Sequence, residues 1–83
     1  MHYRNGRVAK NGDKIISLMY LERPFGGILR DAQPGNDYCN GYVQTGATPG
    51  TNDPMACLCD CVHIDDFGEA LRAAGIYERP VGK

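Results

Sequence analysis

FGGILRDAQPGNDYCNGYVQT, Phe25 to Thr45, is the stretch whose reading decides the fold. In its middle, Gln33-Pro34-Gly35-Asn36 suits a type II turn, because proline presets φ at the second position and glycine takes positive φ at the third. Asp37 to Thr45 is therefore expected to return antiparallel to Phe25 to Ala32. Side chains alternate along a strand, so Cys39, Gly41 and Val43 share one face of the returning strand, and Tyr38, Asn40, Tyr42 and Gln44 share the other. Glycines inside strands, here Gly26, Gly27 and Gly41, mark a bulge, strong coiling or a close approach of backbones, as in a small barrel.

Upstream, Lys14 to Leu21 (KIISLMYL) reads as a strand fenced by Gly12 and Pro24. Ile16, Leu18 and Tyr20 lie on one face and Ile15, Ser17, Met19 and Leu21 on the other, both largely apolar, which predicts cover on both sides. Residues 1–12 form an arm with two Asn-Gly turn signals, Asn5-Gly6 and Asn11-Gly12. Downstream, Thr45 to Pro54 is a loop by composition, and Met55 to Ile64 reads as a last long strand that closes the strand region, 13–64. In that strand Cys57, Cys59, Cys61 and His63 would all point one way. A helix follows over 66–75. Asp66 and Glu69 form a capping box, Phe67, Ala70, Leu71 and Ala74 an apolar face, and Gly75 a left-handed end with Ile76 beyond it. Residues 76–83 form a tail. Short strands and tight turns before one amphipathic helix predict a mainly β fold: a small curled antiparallel sheet or barrel of about five strands, plugged by the helix.

The 83 residues make one domain, a size at which a single core supplies only about 3 to 5 kcal/mol. An oligomeric partner would bury the apolar second face of Leu18 to Leu21. The charge is uneven. Arg4, Arg7, Lys10, Lys14, Arg23 and Arg30 dominate the first third, whereas Asp31 to Leu71 contains no lysine or arginine and seven acids. Neutralisation across the fold is the simplest reading of that asymmetry. A phosphate-backbone binder concentrates Lys and Arg on one face, which only the first thirty residues can supply. No apolar run reaches the length of a membrane helix, and the polar start has no signal-peptide core, so the expected compartment is the cytoplasm.

Four cysteines and His63 are zinc-ligand types, but on a straight strand residues two apart lie about 7 Å apart, too far to share one tetrahedral ion. Small thiols filling a narrow interior are the preferred reading, ahead of zinc or a bridge from Cys39, and neither metal nor cofactor is expected. Cys61 with His63 lacks the electropositive surroundings a nucleophilic thiol needs, since Asp60, Asp65 and Asp66 flank it. His63 to Ala70 (HIDDFGEA) lacks the alternating ligands of a calcium loop, and no phosphate loop, dinucleotide fingerprint or hydrolase elbow is present. The chain is read as no enzyme. Tyr20, Arg23, Phe25, Arg30, Tyr38 and Tyr42 are the expected binding face, aromatic and arginine side chains being what interfaces favour.

Asn11 to Leu18 (NGDKIISL), followed by Phe25 to Val43, resembles the opening of KOW-type and Src-homology-3-like small barrels, in which a Gly-Asp turn leads an apolar strand and a glycine-marked strand follows. The opening Tyr3 to Ile16 also looks like the start of small uncharacterised bacterial and phage proteins. The resemblance implies a small barrel and a binding role toward RNA, ribosomal surfaces or proline-rich peptides, and function does not transfer with the fold. The expected function is a non-enzymatic module contacting a protein or small ligand, as a homo-oligomer. The alternatives are a KOW-like nucleic-acid-associated protein, which the acidic hairpin disfavours, and a phage-encoded inhibitor of a host system.

Overall fold

The structure, a computed structural model, describes residues 1–19, 21–33 and 41–82. Five antiparallel strands, β1 (Lys14–Ser17), β2 (Phe25–Arg30), β3 (Gly41–Gln44), β4 (Met55–Ala56) and β5 (Cys61–His63), form one sheet in the order β4-β3-β2-β1-β5, curled into a half-barrel. One helix, α1 (Ile64–Ala73), follows. The mainly β reading with a C-terminal helix is thus observed. The central hairpin pairs Leu29 with Val43. Residues 34–40, on which the type II turn, Tyr38 and Cys39 fall, lie outside the described residues, as does Tyr20.

Glycine lets these strands approach closely. A Cβ on Gly27 would collide with the carbonyl oxygen of Gln44, and one on Gly41 would stand 2.7 Å from Leu29 Cδ1. The concave face carries Ile15, Ser17, Leu29, Val43, Ala56 and Cys61, all buried. Its cover is the N-terminal arm, whose Tyr3 and Ala9 are as buried as the strand residues. The expected plug, the helix, buries none of its residues. Phe67 and Leu71 are only half-buried, and Ala70 and Ala74 are exposed. The reason lies in the arm's own structure. It folds on itself through a His2–Val8 bridge, a bond from Tyr3 N–H to Arg7 O (2.8 Å) and a bond from Ala9 N–H to Met1 O (2.9 Å). It is then tied to the sheet by Arg4 N–H to Cys61 O (3.1 Å) and Gly12 N–H to Leu29 O (2.8 Å). Gly6 and Gly12 take positive φ, as the two Asn-Gly pairs predict. With the arm in the hollow, α1 is left against β5 and β1 at the sheet edge.

Three expectations are corrected. The first strand ends at Ser17 rather than Leu21: Ile15 and Ser17 are buried and Ile16 and Leu18 half-buried, whereas Met19 and Leu21, beyond the strand, are 51% and 75% exposed. The expected long strand from Met55 to Ile64 is split by a 3-10 turn over Leu58–Asp60. The split follows from topology, because β4 and β5 occupy opposite edges of the sheet and no straight strand can serve both. Leu58, fully buried, pins the crossing to the core. The helix begins at Ile64, not Asp66, and its N-cap is His63, whose Nδ1 accepts the Asp65 N–H at 3.0 Å. Asp66 instead accepts from Asn5 Nδ2 (2.9 Å) and Arg7 (3.0 Å). The C-terminal end is as read: Gly75 has φ +76, Gly75 N–H bonds Arg72 O, and Ile76 N–H bonds Leu71 O, each at 3.0 Å.

Candidate binding face

The convex face of the sheet has no second layer among the described residues. Antiparallel register places its side chains in rows. Val62, Ile16 and Gly26 make one row, Lys14, Ile28 and Gln44 the next, and Arg30, Tyr42 and Met55 the third. Tyr42, Ile28 and Met55 are exposed, and Ile64 from the start of α1 lines the same groove as Ile28. Gly26 and Gly27 supply a floor without side chains. The result is a shallow apolar groove of about 430 Å³ lined by Lys14, Ile16, Ile28, Gln44, Thr45 and Ile64.

Arg30 ends this face in a fixed position. Its Nε donates to Asp53 Oδ2 (3.0 Å), Nη2 to Gly50 O (3.1 Å) and Nη1 to Asp31, while the guanidinium lies 4.7 Å from the centre of the Tyr42 ring. The Gly50 amide and then Arg30 itself hold the Asp53 carboxyl below its ordinary value, against the cost of desolvation. Stacking on tyrosine leaves the ring rigid, which lowers the entropy lost on contact with a partner.

Of the six residues expected at a binding site, the structure brings two together, Arg30 and Tyr42, as cross-strand partners. Phe25 is on the opposite face of β2, packed against the core, because it is an odd number of positions from Arg30. Arg23 sits exposed in the connection before β2. Tyr20 and Tyr38 lie outside the described residues. Ile16, Ile28 and Met55 were missed; their signal was alternation, which puts each on the same face as Arg30 or Tyr42 once register is known.

A larger hollow, about 600 Å³, lies along α1 between Arg7, Phe67, Leu71, Arg72 and Tyr77. Its cations are engaged within the chain, Arg7 with Asp66 and Arg72 with Glu69 and the Tyr77 ring. The convex groove is the better site because its apolar lining has no internal partner to displace among the described residues. Basic and acidic parts of the chain thus meet across the fold at Arg7 and Arg30. A third cluster arises at the 3-10 turn, where Cys57 Sγ and Cys59 Sγ stand 3.0 Å apart beside Asp60. Among the described residues no helix is long and apolar enough to cross a membrane. Compared with known proteins, the chain matches no family model, no curated protein and no solved structure.

Proposed function

We propose that the protein is a non-enzymatic binding module whose convex sheet face takes an apolar segment of a protein partner or a small apolar ligand. One observation carries the reading: Ile28, Tyr42 and Met55 stay exposed on neighbouring strands of one face, where Ile28 lines a glycine-floored groove and Arg30 is held in the row of Tyr42 and Met55. Contiguous exposed apolar surface of this kind marks interaction sites. Nucleic acid is the weaker partner, since Arg7 and Arg30 are already paired with carboxylates. A second copy of the chain belongs to the same partner class, and the exposed Met19 and Leu21 add to the surface it would cover.

The test is a fragment and apolar-peptide screen followed by backbone amide NMR. Binders are expected to shift Ile16, Gly26, Gly27, Ile28, Gln44 and Ile64, and to lose affinity on Ile28→Lys. Shifts confined to the α1 flank, or binding that survives Ile28→Lys, would refute the reading. Light scattering separates self-association, and a mass equal to one chain removes the second copy.

A further inference from the structure

We propose that Cys57, Cys59 and Asp60 form a cation site for a zinc-like divalent ion. One ligand atom from each residue lies within 4.8 Å of the others. The 3-10 turn creates this geometry, since bending the chain over Leu58–Asp60 brings together two thiols that a straight strand would hold apart. Both ends of the turn are anchored. Asp60 N–H bonds Cys57 O (2.9 Å), Asp60 O accepts Leu18 N–H (2.9 Å), Leu58 is fully buried, and Cys61 Sγ donates to Cys57 O (3.4 Å).

The donor set selects the ion. Two thiolates favour a thiophilic metal, and a hard carboxylate beside them points to borderline zinc over copper(I). Sulfurs sharing one tetrahedral zinc stand about 3.8 Å apart, so the pair at 3.0 Å needs to open by less than about 1 Å. Exposed Cys59 gives entry from solvent. The stretch from Asp31 to Leu71 carries no lysine or arginine to repel a cation. Binding forms two metal–sulfur bonds and one metal–oxygen bond, and the two thiol protons leave to solvent.

The test titrates cobalt(II) alone into the reduced full chain and follows thiolate-to-cobalt charge-transfer absorption, with alkylation of Cys59 as a second readout. The expected result is a stoichiometric band abolished by Cys57→Ser and by Cys59→Ser, weakened at least about tenfold by Asp60→Asn, and unchanged by Asp65→Asn. Zinc is expected to displace cobalt and to slow alkylation of Cys59. Circular dichroism establishes that each variant is folded. No band in the reduced protein, a band that survives either serine variant, or undiminished affinity in Asp60→Asn would overturn the site. So would a two-dalton deficit on the peptide holding both thiols under the titration conditions, which would identify the pair as a disulfide.

Discussion

The Tyr3 hydroxyl donates to Asp13 Oδ2 at 2.6 Å, joining the ring that fills the concave face to the turn that launches β1. The same carboxylate accepts the Lys10 N–H at 3.0 Å, and its other oxygen stands 3.7 Å from His63 Nε2. His63 also meets the Tyr3 ring in an edge arrangement, with centroids 6.1 Å apart. Arm, first strand and helix cap therefore converge on one carboxylate.

Removing the hydroxyl leaves Asp13 short of its strongest partner. Tyr3→Phe is expected to cost about 1 to 3 kcal/mol, and Tyr3→Ala about 3 to 5 kcal/mol because it also empties the hollow. Urea denaturation measures both. An effect below the first range would mean that the arm is held by backbone bonds alone.

Stability is expected to fall at both extremes of pH. Burial opposes the charge on Asp13, but the Tyr3 hydroxyl, the Lys10 amide, His63 and Arg7 outweigh it and hold the carboxyl below its ordinary value. A group depressed on folding stabilises above its unfolded value, about 3.9, and loses that contribution as pH falls through the folded one. Burial, followed by the bond to Asp13, raises the Tyr3 phenol. That contribution is present in full below about pH 10 and is lost as pH climbs beyond it. Urea midpoints measured across pH should show both losses, and Tyr3→Phe should flatten the alkaline one and lessen the acid one.

Glycine variants should rank by what a methyl meets. Gly27→Ala drives a Cβ into the Gln44 carbonyl, a backbone atom that cannot swing aside, so a cost of about 3 kcal/mol or more is expected. Gly41→Ala meets the flexible end of Leu29 and should cost less. Gly46→Ala makes only an ordinary van der Waals contact, with Thr48 O at 3.8 Å, and is expected to fall within about 0.5 kcal/mol of the parent. Thermal or urea unfolding gives the order directly.

At the helix ends, His63→Ala removes the cap on Asp65 N–H and should cost about 1 kcal/mol. Gly75→Ala forces a side chain into positive φ and should cost about 1 to 2 kcal/mol. Far-ultraviolet circular dichroism during unfolding reads both.

Convex-face variants should separate binding from folding. Met55 is 60% exposed, so Met55→Lys is expected to change stability by less than about 0.5 kcal/mol. The same change should abolish binding of any ligand that maps to the third row. A comparable loss of stability would mean that the row supports the fold.

Local chemistry made several features readable in the chain itself. Asn5-Gly6 and Asn11-Gly12 turn where φ must be positive, Gly75 ends the helix, and alternation puts Gly41 and Val43 on the buried side of β3. Each depends on neighbours a few residues away. The face opposite was less legible: Tyr42 could be assigned a side from alternation, but its company of Arg30 and Met55 required the register of three strands.

The sequence by itself determined a mainly β chain with close-packed glycine strands and a helix ended by Gly75, because turn chemistry, period and the C-terminal cap act over short separations. Only the tertiary structure decided that the arm fills the half-barrel, that α1 stays at its edge, and that the Cys57–His63 stretch bends. Those outcomes follow from which edge each strand occupies and which segment reaches the hollow. With β4 and β5 at opposite edges, the chain must cross between them at Leu58. That crossing turns an apparent one-sided row of cysteines into a buried Cys61 and an exposed Cys59 held against Cys57.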